Sequence, residues 1–412
     1  MPIWGRASVF PVENSGSPYR DRDRFTAYRR ERQSIMSLER QIVFLAVAVG
    51  VLALANYYVY RRLLRRLSDN LHRLSALLMA AIMGGEVVFV ADLLFGFLPE
   101  SAAVYMTFSV LVGATFMLFV VALFYDLTLT VAKRVPFDPG RRRAVKALFD
   151  AAVLIAAASY LWRGIRGGTG EPEINQVAVK IKGFPFDGFS IVQLTDLHIG
   201  RTLKRDFLQR VVERTNALRP DMVVITGDLV DLPAQAVRQD LQPLKSLEAP
   251  GYFVTGNHEY FHDVESILRE VRALGIRPLA NEAIQFGNDE GRINLVGLND
   301  LTGGRFGIRP PDAETAYRRV EPSQPTIVLA HQPKAVSLVE GRRCDLMLSG
   351  HTHGGQIFPF GALVMLDQPY LAGLHEHGPD RWLFVSRGTG YWGPPLRVLA
   401  PSEISRIVIE AA

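Results

Sequence analysis

Apolar residues are distributed unevenly along this 412-residue chain, and two different patterns divide it. Long apolar runs fill residues 41 to 163, whereas residues 176 to 412 carry short apolar runs separated by charged residues, Gly and Pro. A helix needs about 20 mainly apolar residues to cross a bilayer. Four segments meet this length and predict a bundle of about four transmembrane helices: 41 to 60, 74 to 98, 103 to 125 and 147 to 163.

Two stretches flank the apolar region and differ from it in composition. Residues 1 to 40 are polar and Arg-rich without periodicity, which predicts a disordered tail. Residues 164 to 175 contain Gly167-Gly168-Thr169-Gly170, which predicts a flexible linker to a second domain over residues 176 to 412. Met36 directly precedes the first apolar run, and the sequence leaves open whether Met1 or Met36 is the start.

The formal net charge of +5 comes largely from arginines beside the apolar runs, in residues 61 to 73 and 134 to 146. Such charges set membrane orientation and contact lipid headgroups, so membrane lipids are expected partners and nucleic acid is not. Basic loops favour the cytoplasmic side, and with both loops there the fourth helix ends on the outer side. The sequence therefore predicts a multi-pass protein of the cell membrane with an extracytoplasmic second domain. The Arg-rich tail conflicts with this topology, and a start at Met36 would remove most of the conflict.

Residues 176 to 412 show the pattern of an α/β domain. Val177, Val179 and Ile181 alternate as in a half-buried strand, and helix-like stretches separate several later apolar runs. Polar residues gather just after the predicted strands, and ligands bind at that edge in open α/β sheets. The further predicted strands are 191–194, 222–226, 252–255, 293–298, 326–330 and 345–349.

The polar clusters supply carboxylate, amide and imidazole groups but no thiol. This mixture suits Mn, Fe, Zn, Ni or Co better than Ca, which prefers oxygen ligands alone. Side chains two residues apart in an extended segment face the same way, so Asp196 and His198 can converge on one ion, and His351 and His353 on one pocket. The candidate residues are Asp196, His198, Asp228, Asn257, His258, His331, His351 and His353.

In chain order these clusters read Asp-x-His, Gly-Asp, Gly-Asn-His-Glu, His and Gly-His-x-His. Over about residues 175 to 412, they resemble the signature of the calcineurin-like metallophosphoesterase superfamily. The resemblance implies an αββα sandwich, in which two β-sheets are flanked by helices. It also implies a hydrolase that cleaves a phosphodiester, phosphomonoester or pyrophosphate bond with a hydroxide held between two divalent metal ions.

The same resemblance implies a role for each candidate residue. Asp228 would bridge the two ions. His258 would bind no metal and would instead stabilise the developing charge or protonate the leaving oxygen. The first ion would be held by Asp196, His198, Asp228 and His353, and the second by Asp228, Asn257, His331 and His351.

Several stretches resemble a bacterial membrane-associated branch of the superfamily: 194–198, 354–356, 386–390 and 394–397. That branch is linked to lipid-linked and nucleotide-sugar phosphates. The resemblance therefore implies a phosphorylated small-molecule or lipid substrate, such as a UDP-diacylglucosamine-type glycolipid. Oligomeric state is not predicted.

Two other functions stay open at the level of sequence. A membrane sensor or scaffold would bind phosphate at the metal domain without turnover, but it would have no need of His258. A transporter would use Glu86, Asp92 and Asp126, which otherwise pack inside the helical bundle.

Further polar residues near the clusters have expected roles of their own. Arg387 either grips a substrate phosphate or orders its Gly-rich loop. Glu259 and Asp231 are expected to orient the metal ligands. His375 and His377 are expected to be exposed loop residues.

Overall fold

The computed structural model describes residues 38–66, 72–99, 101–132, 139–288 and 291–411. The tail predicted over residues 1 to 40 therefore lies outside the described residues up to residue 37. Parts of the two basic loops, residues 67–71 and 133–138, also lie outside them.

The N-terminal part of the described chain is helical, and each of its four long helices is long and apolar enough to cross a membrane. This confirms the four predicted spans. Large apolar side chains such as Leu54 and Leu127 stay exposed on the helix surfaces, as expected of groups that face lipid. The helices are α1 (Leu38–Arg62), α2 (His72–Phe95), α3 (Ala102–Ala132) and α4 (Pro139–Thr169).

The carboxylates within these helices have partners among the described residues. Glu86 accepts a hydrogen bond of 2.6 Å from the amide of Asn56 on the neighbouring helix. Asp126 pairs with Arg62 at 2.7 Å. These contacts join one helix to another, and they support the packing interpretation over a transport role.

The remainder of the described chain alternates strands with short helices. The strands are β1 (Glu173–Ile181), β2 (Phe189–Leu194), β3 (Met222–Thr226), β4 (Gly251–Val254), β5 (Arg277–Pro278), β6 (Glu282–Asn288), β7 (Gly291–Gly297), β8 (Thr326–Leu329), β9 (Leu346–Ser349), β10 (Gly373–Glu376), β11 (Trp382–Val385) and β12 (Glu403–Ala411). The α-helices are α5 (Arg205–Ala217), α6 (Ala234–Val237), α7 (Asn257–Phe261), α8 (Val264–Ala273), α9 (Thr302–Phe306), α10 (Ala313–Tyr317) and α11 (Gly361–Val364).

These strands form two mixed sheets of six strands each, in the orders β1-β12-β2-β3-β4-β5 and β10-β11-β9-β8-β7-β6. Strands β2 to β5 run parallel in the first sheet, and β7, β8, β9 and β11 run parallel in the second. The carboxyl ends of the parallel strands in each sheet therefore meet at one edge, and the loops that leave this edge carry the candidate metal ligands.

Three apolar layers hold the two sheets and their helices together. Side chains from both sheets, such as Val224 and Leu348, fill the space between them. Helices α5 and α8 cover the outer face of the first sheet, with Leu208 and Ile267 in that core. Residues around Ala316 cover the outer face of the second sheet. Two sheets with helices on both outer faces make four layers of secondary structure. This arrangement confirms the predicted αββα sandwich, and four long apolar helices precede it.

The flexible linker predicted over residues 164 to 175 differs from the observed structure. Helix α4 continues to Thr169, and β1 begins at Glu173. The Gly-rich run forms the end of α4, and its glycines allow close packing there: a Cβ on Gly168 would lie 2.0 Å from the carbonyl oxygen of Pro395. The last turns of α4 are thus packed directly against the sandwich.

Gly168→Ala is expected to destabilise the protein, because the added methyl group has no space beside Pro395. Overpacking of this kind typically costs about 1–3 kcal/mol. Gly84→Ala in α2 is the matched control, since no atom lies within 4 Å of a Cβ at that position. Thermal unfolding of both variants in the same detergent tests this: equal midpoints would contradict close packing at Gly168.

Candidate metal centre

Each candidate residue lies just after a strand at the shared edge of the two sheets. Three strand ends of the first sheet and two of the second deliver the polar side chains to one place. Asp196 and His198 follow β2, Asp228 follows β3, Asn257 and His258 begin α7 after β4, His331 follows β8, and His351 and His353 follow β9.

The structure brings six of these residues together in two adjoining groups, and His258 joins His198 and Asp228 in a third. Asp196, His198 and His353 have ligand atoms within 4.8 Å of one another, and so do Asp228, His331 and His351. The nearest approach in the first group joins the Nε2 atoms of His198 and His353, at 3.1 Å.

Asp228 lies between the two groups. Its Oδ2 atom is 3.2 Å from Nε2 of His331 and 3.9 Å from Nε2 of His198. Nε2 of His331 is also 3.2 Å from the side-chain oxygen of Asn257. This position lets one carboxylate serve both groups, and Asn257 places a neutral oxygen beside the second.

Hydrogen bonds outside the cluster set the tautomers of two imidazoles. The Nδ1 atom of His198 donates to Asp231 at 2.7 Å, and that of His331 donates to the carbonyl oxygen of Thr226 at 2.8 Å. In the neutral rings, the Nε2 lone pairs therefore face the cluster, as metal ligation requires.

The atoms that face each other in the cluster are mainly acceptors. Nε2 of His331 approaches carboxylate and amide oxygens, and a positive charge among them would satisfy all three. Burial lowers the pKa of His331, but the carboxylates of Asp228 and Asp196 outweigh burial and raise it well above its ordinary value. The donor set thus fits divalent cations.

His258 stands at the edge of the cluster. Its Nδ1 atom lies 2.7 Å from Asp231, and its Nε2 atom lies 3.9 Å from Oδ2 of Asp228. Burial lowers the pKa of His258, but Asp228 and Asp231 outweigh burial and raise it to about 9. Asp231 thus holds the ring at Nδ1 and leaves Nε2 directed toward the cluster.

Glu259 and Asp231 occupy the orienting positions expected of them. Glu259 is fully buried and accepts hydrogen bonds from the backbone N–H groups of Asp228, Leu229 and Gly256. It thereby joins the β3 and β4 loops. Asp231 orients both His198 and His258 through one carboxylate oxygen.

Arg387, His375 and His377 contribute differently. The guanidinium of Arg387 pairs with the buried carboxylate of Glu403 at 2.6 Å, which matches the loop-ordering alternative. The ring of His375 stacks on Tyr370, whose hydroxyl group lies 2.9 Å from Nδ1 of His377. Both histidines are partly buried, whereas exposed loop positions were predicted for them.

Backbone strain accompanies the cluster. Asp196, His198, Asp228, His351 and His353 all have φ between 46° and 70°, in the left-handed region. Such conformations cost roughly 1–3 kcal/mol each for non-glycine residues and concentrate at functional sites. The loops keep these conformations because buried strands and hydrogen bonds hold both of their ends.

Arg397 is a site residue that the sequence reasoning did not assign a role. It is buried, and it donates to the carbonyl oxygen of His353 and contacts that ring at Nδ1, 3.1 Å away. Burial, and then the charges of His198 and Arg397, hold the pKa of His353 well below its ordinary value. The Pro-Pro-Leu-Arg motif near the end of the chain pointed to this region. It could not predict the contact with His353, because the two residues lie 44 positions apart in sequence.

A pocket of about 220 Å³ lies between the apolar helices and the edge of the cluster, where His258 and Asp231 line it. One wall comes from the helical bundle, and the other from loops that surround His258. Arg201 lies at the junction, where it pairs with Asp92 of α2 and stacks over the ring of Tyr105 of α3. The apolar lining residues are Phe44, Leu93, Leu94, Tyr105, Phe261, Tyr391 and Trp392.

Comparison with known proteins gives the same family for the sandwich. The family model for calcineurin-like phosphoesterases matches residues 189–355, which include all eight candidate residues. An uncharacterized metallophosphoesterase of Helicobacter pylori is 41% identical over 295 residues, 71% of this chain and 78% of the relative. One of Campylobacter jejuni is 32% identical over 369 residues, 88% of this chain and 97% of the relative.

The name of one vertebrate relative mentions both a transmembrane part and a metallophosphoesterase domain. The zebrafish (Danio rerio) transmembrane protein with metallophosphoesterase domain is 36% identical over 283 residues. The match covers 66% of this chain and 63% of that protein.

Asp228→Asn is expected to lower the metal content of the purified protein, because the shared position loses its charge. His375→Ala is the matched control, since that imidazole stacks on Tyr370 away from the cluster. Elemental analysis of both variants and the parent tests this. Equal metal content in all three proteins would contradict the assignment of Asp228 to the centre.

Proposed function

The chain belongs to the calcineurin-like metallophosphoesterase family, and from that premise we propose that it hydrolyses a phosphate ester or anhydride of a membrane lipid or glycolipid. The family and the clustered His and Asp groups support a metal-dependent phosphoester hydrolase. The pocket that joins the metal centre to the apolar helices carries the finer proposal about substrate.

Two divalent ions would occupy the two groups of ligands. The first would be held by Asp196, His198, Asp228 and His353, and the second by Asp228, Asn257, His331 and His351. When bound, such ions activate water and neutralise phosphate oxygens. The position of Asp228 between the groups supports its bridging role.

His258 would act on the leaving group. Asp231 fixes the ring at Nδ1, which leaves Nε2 directed toward Asp228, where it can give a proton to a leaving oxygen. His258 belongs to the cluster and also lines the pocket, so a phosphate bound between the two would have its leaving oxygen near Nε2. General acid catalysis of this kind contributes about 10²–10⁴-fold to rate.

A membrane substrate accounts for the two chemically different walls of the pocket. Leu93 and Leu94 lie near the end of the second span, and Phe44 lies near the start of the first. These side chains suit hydrocarbon, whereas His258 and Arg201 suit a phosphate group. An amphiphile would place its phosphate at the metals and its apolar part against the helices.

The orientation of the helices supports an extracytoplasmic metal centre. Phe44 lines the pocket, whereas Arg61 and Arg62 end the same helix on the opposite side of the bundle. Basic residues favour the cytoplasmic side. The catalytic sandwich would therefore face away from the cytoplasm.

His258→Ala is expected to lower kcat for phosphodiester or phosphomonoester hydrolysis by about 10²–10⁴-fold. The full-length protein is assayed in detergent with added Mn, Zn or Ni, and its metal content is measured in parallel. His377→Ala serves as the control imidazole. Metal binding without turnover in the parent protein on soluble and lipid phosphates would instead support a phosphate sensor.

Trp392→Ala and Leu94→Ala are expected to raise KM for a long-chain lipid phosphate but to leave hydrolysis of a short-chain ester unchanged. Both side chains line the apolar part of the pocket. A panel of lipid phosphates that includes UDP-diacylglucosamine, each with a short-chain analogue, measures the effect. Equal losses on long and short substrates would contradict an apolar-chain site.

A further inference from the structure

An exposed apolar segment, residues 357–366, lies on the sandwich beside the metal centre. Its sequence, Ile-Phe-Pro-Phe-Gly-Ala-Leu-Val-Met-Leu, contains no charged or polar side chain. Leu366 is 83% exposed, and Leu399, in the neighbouring loop, is 79% exposed. The strongly exposed large apolar residues of this patch are Phe358, Phe360, Leu363, Met365, Leu366 and Leu399.

The patch is unusual within the sandwich. Among the described residues from 173 onward, the other large apolar side chains with comparable exposure are Ile174, Ile308 and Trp392, and Trp392 lines the pocket. Soluble surfaces rarely gather so many exposed apolar groups in one place, and such patches mark contacts with proteins or membranes.

Contacts with the helical bundle indicate which environment covers the patch. The ring of Phe360 packs edge-on against Phe116 of α3, with centroids 5.8 Å apart. The hydroxyl group of Tyr160 in α4 donates to the carbonyl oxygen of Phe358. Ile357 joins Met117 and Leu396 in a common buried cluster.

The positions of these partners along the helices set the depth of the patch. Phe116 lies near the middle of the candidate span Ala102–Val131, and Tyr160 lies near the middle of Leu148–Thr169. The middle of a membrane span lies at the level of the hydrocarbon, so a segment that touches the middle of two candidate spans is positioned to meet lipid tails.

We propose that residues 357–366 and Leu399 insert into the bilayer beside α3 and α4, as a second membrane contact of the catalytic sandwich. The inserted segment touches the loop of the metal ligand His353: a Cβ on Gly355 would lie 2.4 Å from Cα of Gly361. The bilayer thus supports that loop directly, and it holds the metal centre at the membrane surface. This inference does not depend on the identity of the substrate.

Lipid-quenched fluorescence in nanodiscs tests the proposal. Leu363→Cys and Leu366→Cys are each labelled with a bimane fluorophore in the full-length protein, and lipids that carry a spin label on the acyl chain act as quenchers. Cys344 does not compete for the label, because it is buried and its thiol pKa is raised to about 12.

Two further positions calibrate the measurement. Leu54→Cys, on the exposed surface of α1, gives the quenching expected for lipid contact. Lys182→Cys, at the end of β1 remote from the metal edge, gives the value expected in water.

Quenching at positions 363 and 366 comparable to that at position 54, with none at 182, is the expected result. Values like that at position 182 would overturn the proposal. In that case, thiol cross-linking between copies at position 366 would show that the patch is a contact between two copies of the chain. No cross-linking would show that the patch is exposed to water.

Discussion

Convergence of acceptor atoms at one edge of two sheets is the constraint on which the rest of this structure depends. Carboxylate, amide and imidazole groups approach within 3.2–3.9 Å around Asp228, and the imidazole donors point away from the cluster. Such an arrangement requires positive charge at its centre. The positive φ values at five of the candidate ligands show that the surrounding strands impose this geometry on strained loops.

The helical bundle is part of the same construction. Gly167 and Gly168 allow α4 to contact the backbone of the loop that carries Arg397, and Arg397 in turn contacts His353. Arg201 connects the loop after β2 with Asp92 and Tyr105 of the bundle. The apolar helices and the loops of the candidate metal centre therefore contact each other directly at their junction.

The sequence predicted the membrane spans and the central strands well, because both have strong local patterns. Twenty apolar residues identify a span, and a short apolar run before Asp228 or His351 identifies a buried strand. The eight site residues were likewise visible in the motifs, and the structure brings them together. Their assignment to individual ions rests on the family resemblance.

Other features depend on contacts that have no local signal. Gly167 and Gly168 have the composition of a flexible linker, but they lie in the last turns of α4, where the backbone of Pro395 and Arg397 leaves no space for a side chain. Arg397 acts on a ring 44 positions away in sequence. The apolar segment 357–366 has the composition of a buried strand, and its exposure beside α3 emerges only in three dimensions.

The most direct test of a shared dinuclear centre is electron paramagnetic resonance of the full-length protein loaded to saturation with Mn(II). Two ions joined through one carboxylate are expected to give an exchange-coupled spectrum, with two manganese ions bound per chain. An isolated six-line Mn(II) signal at full loading, with one ion per chain, would contradict the account.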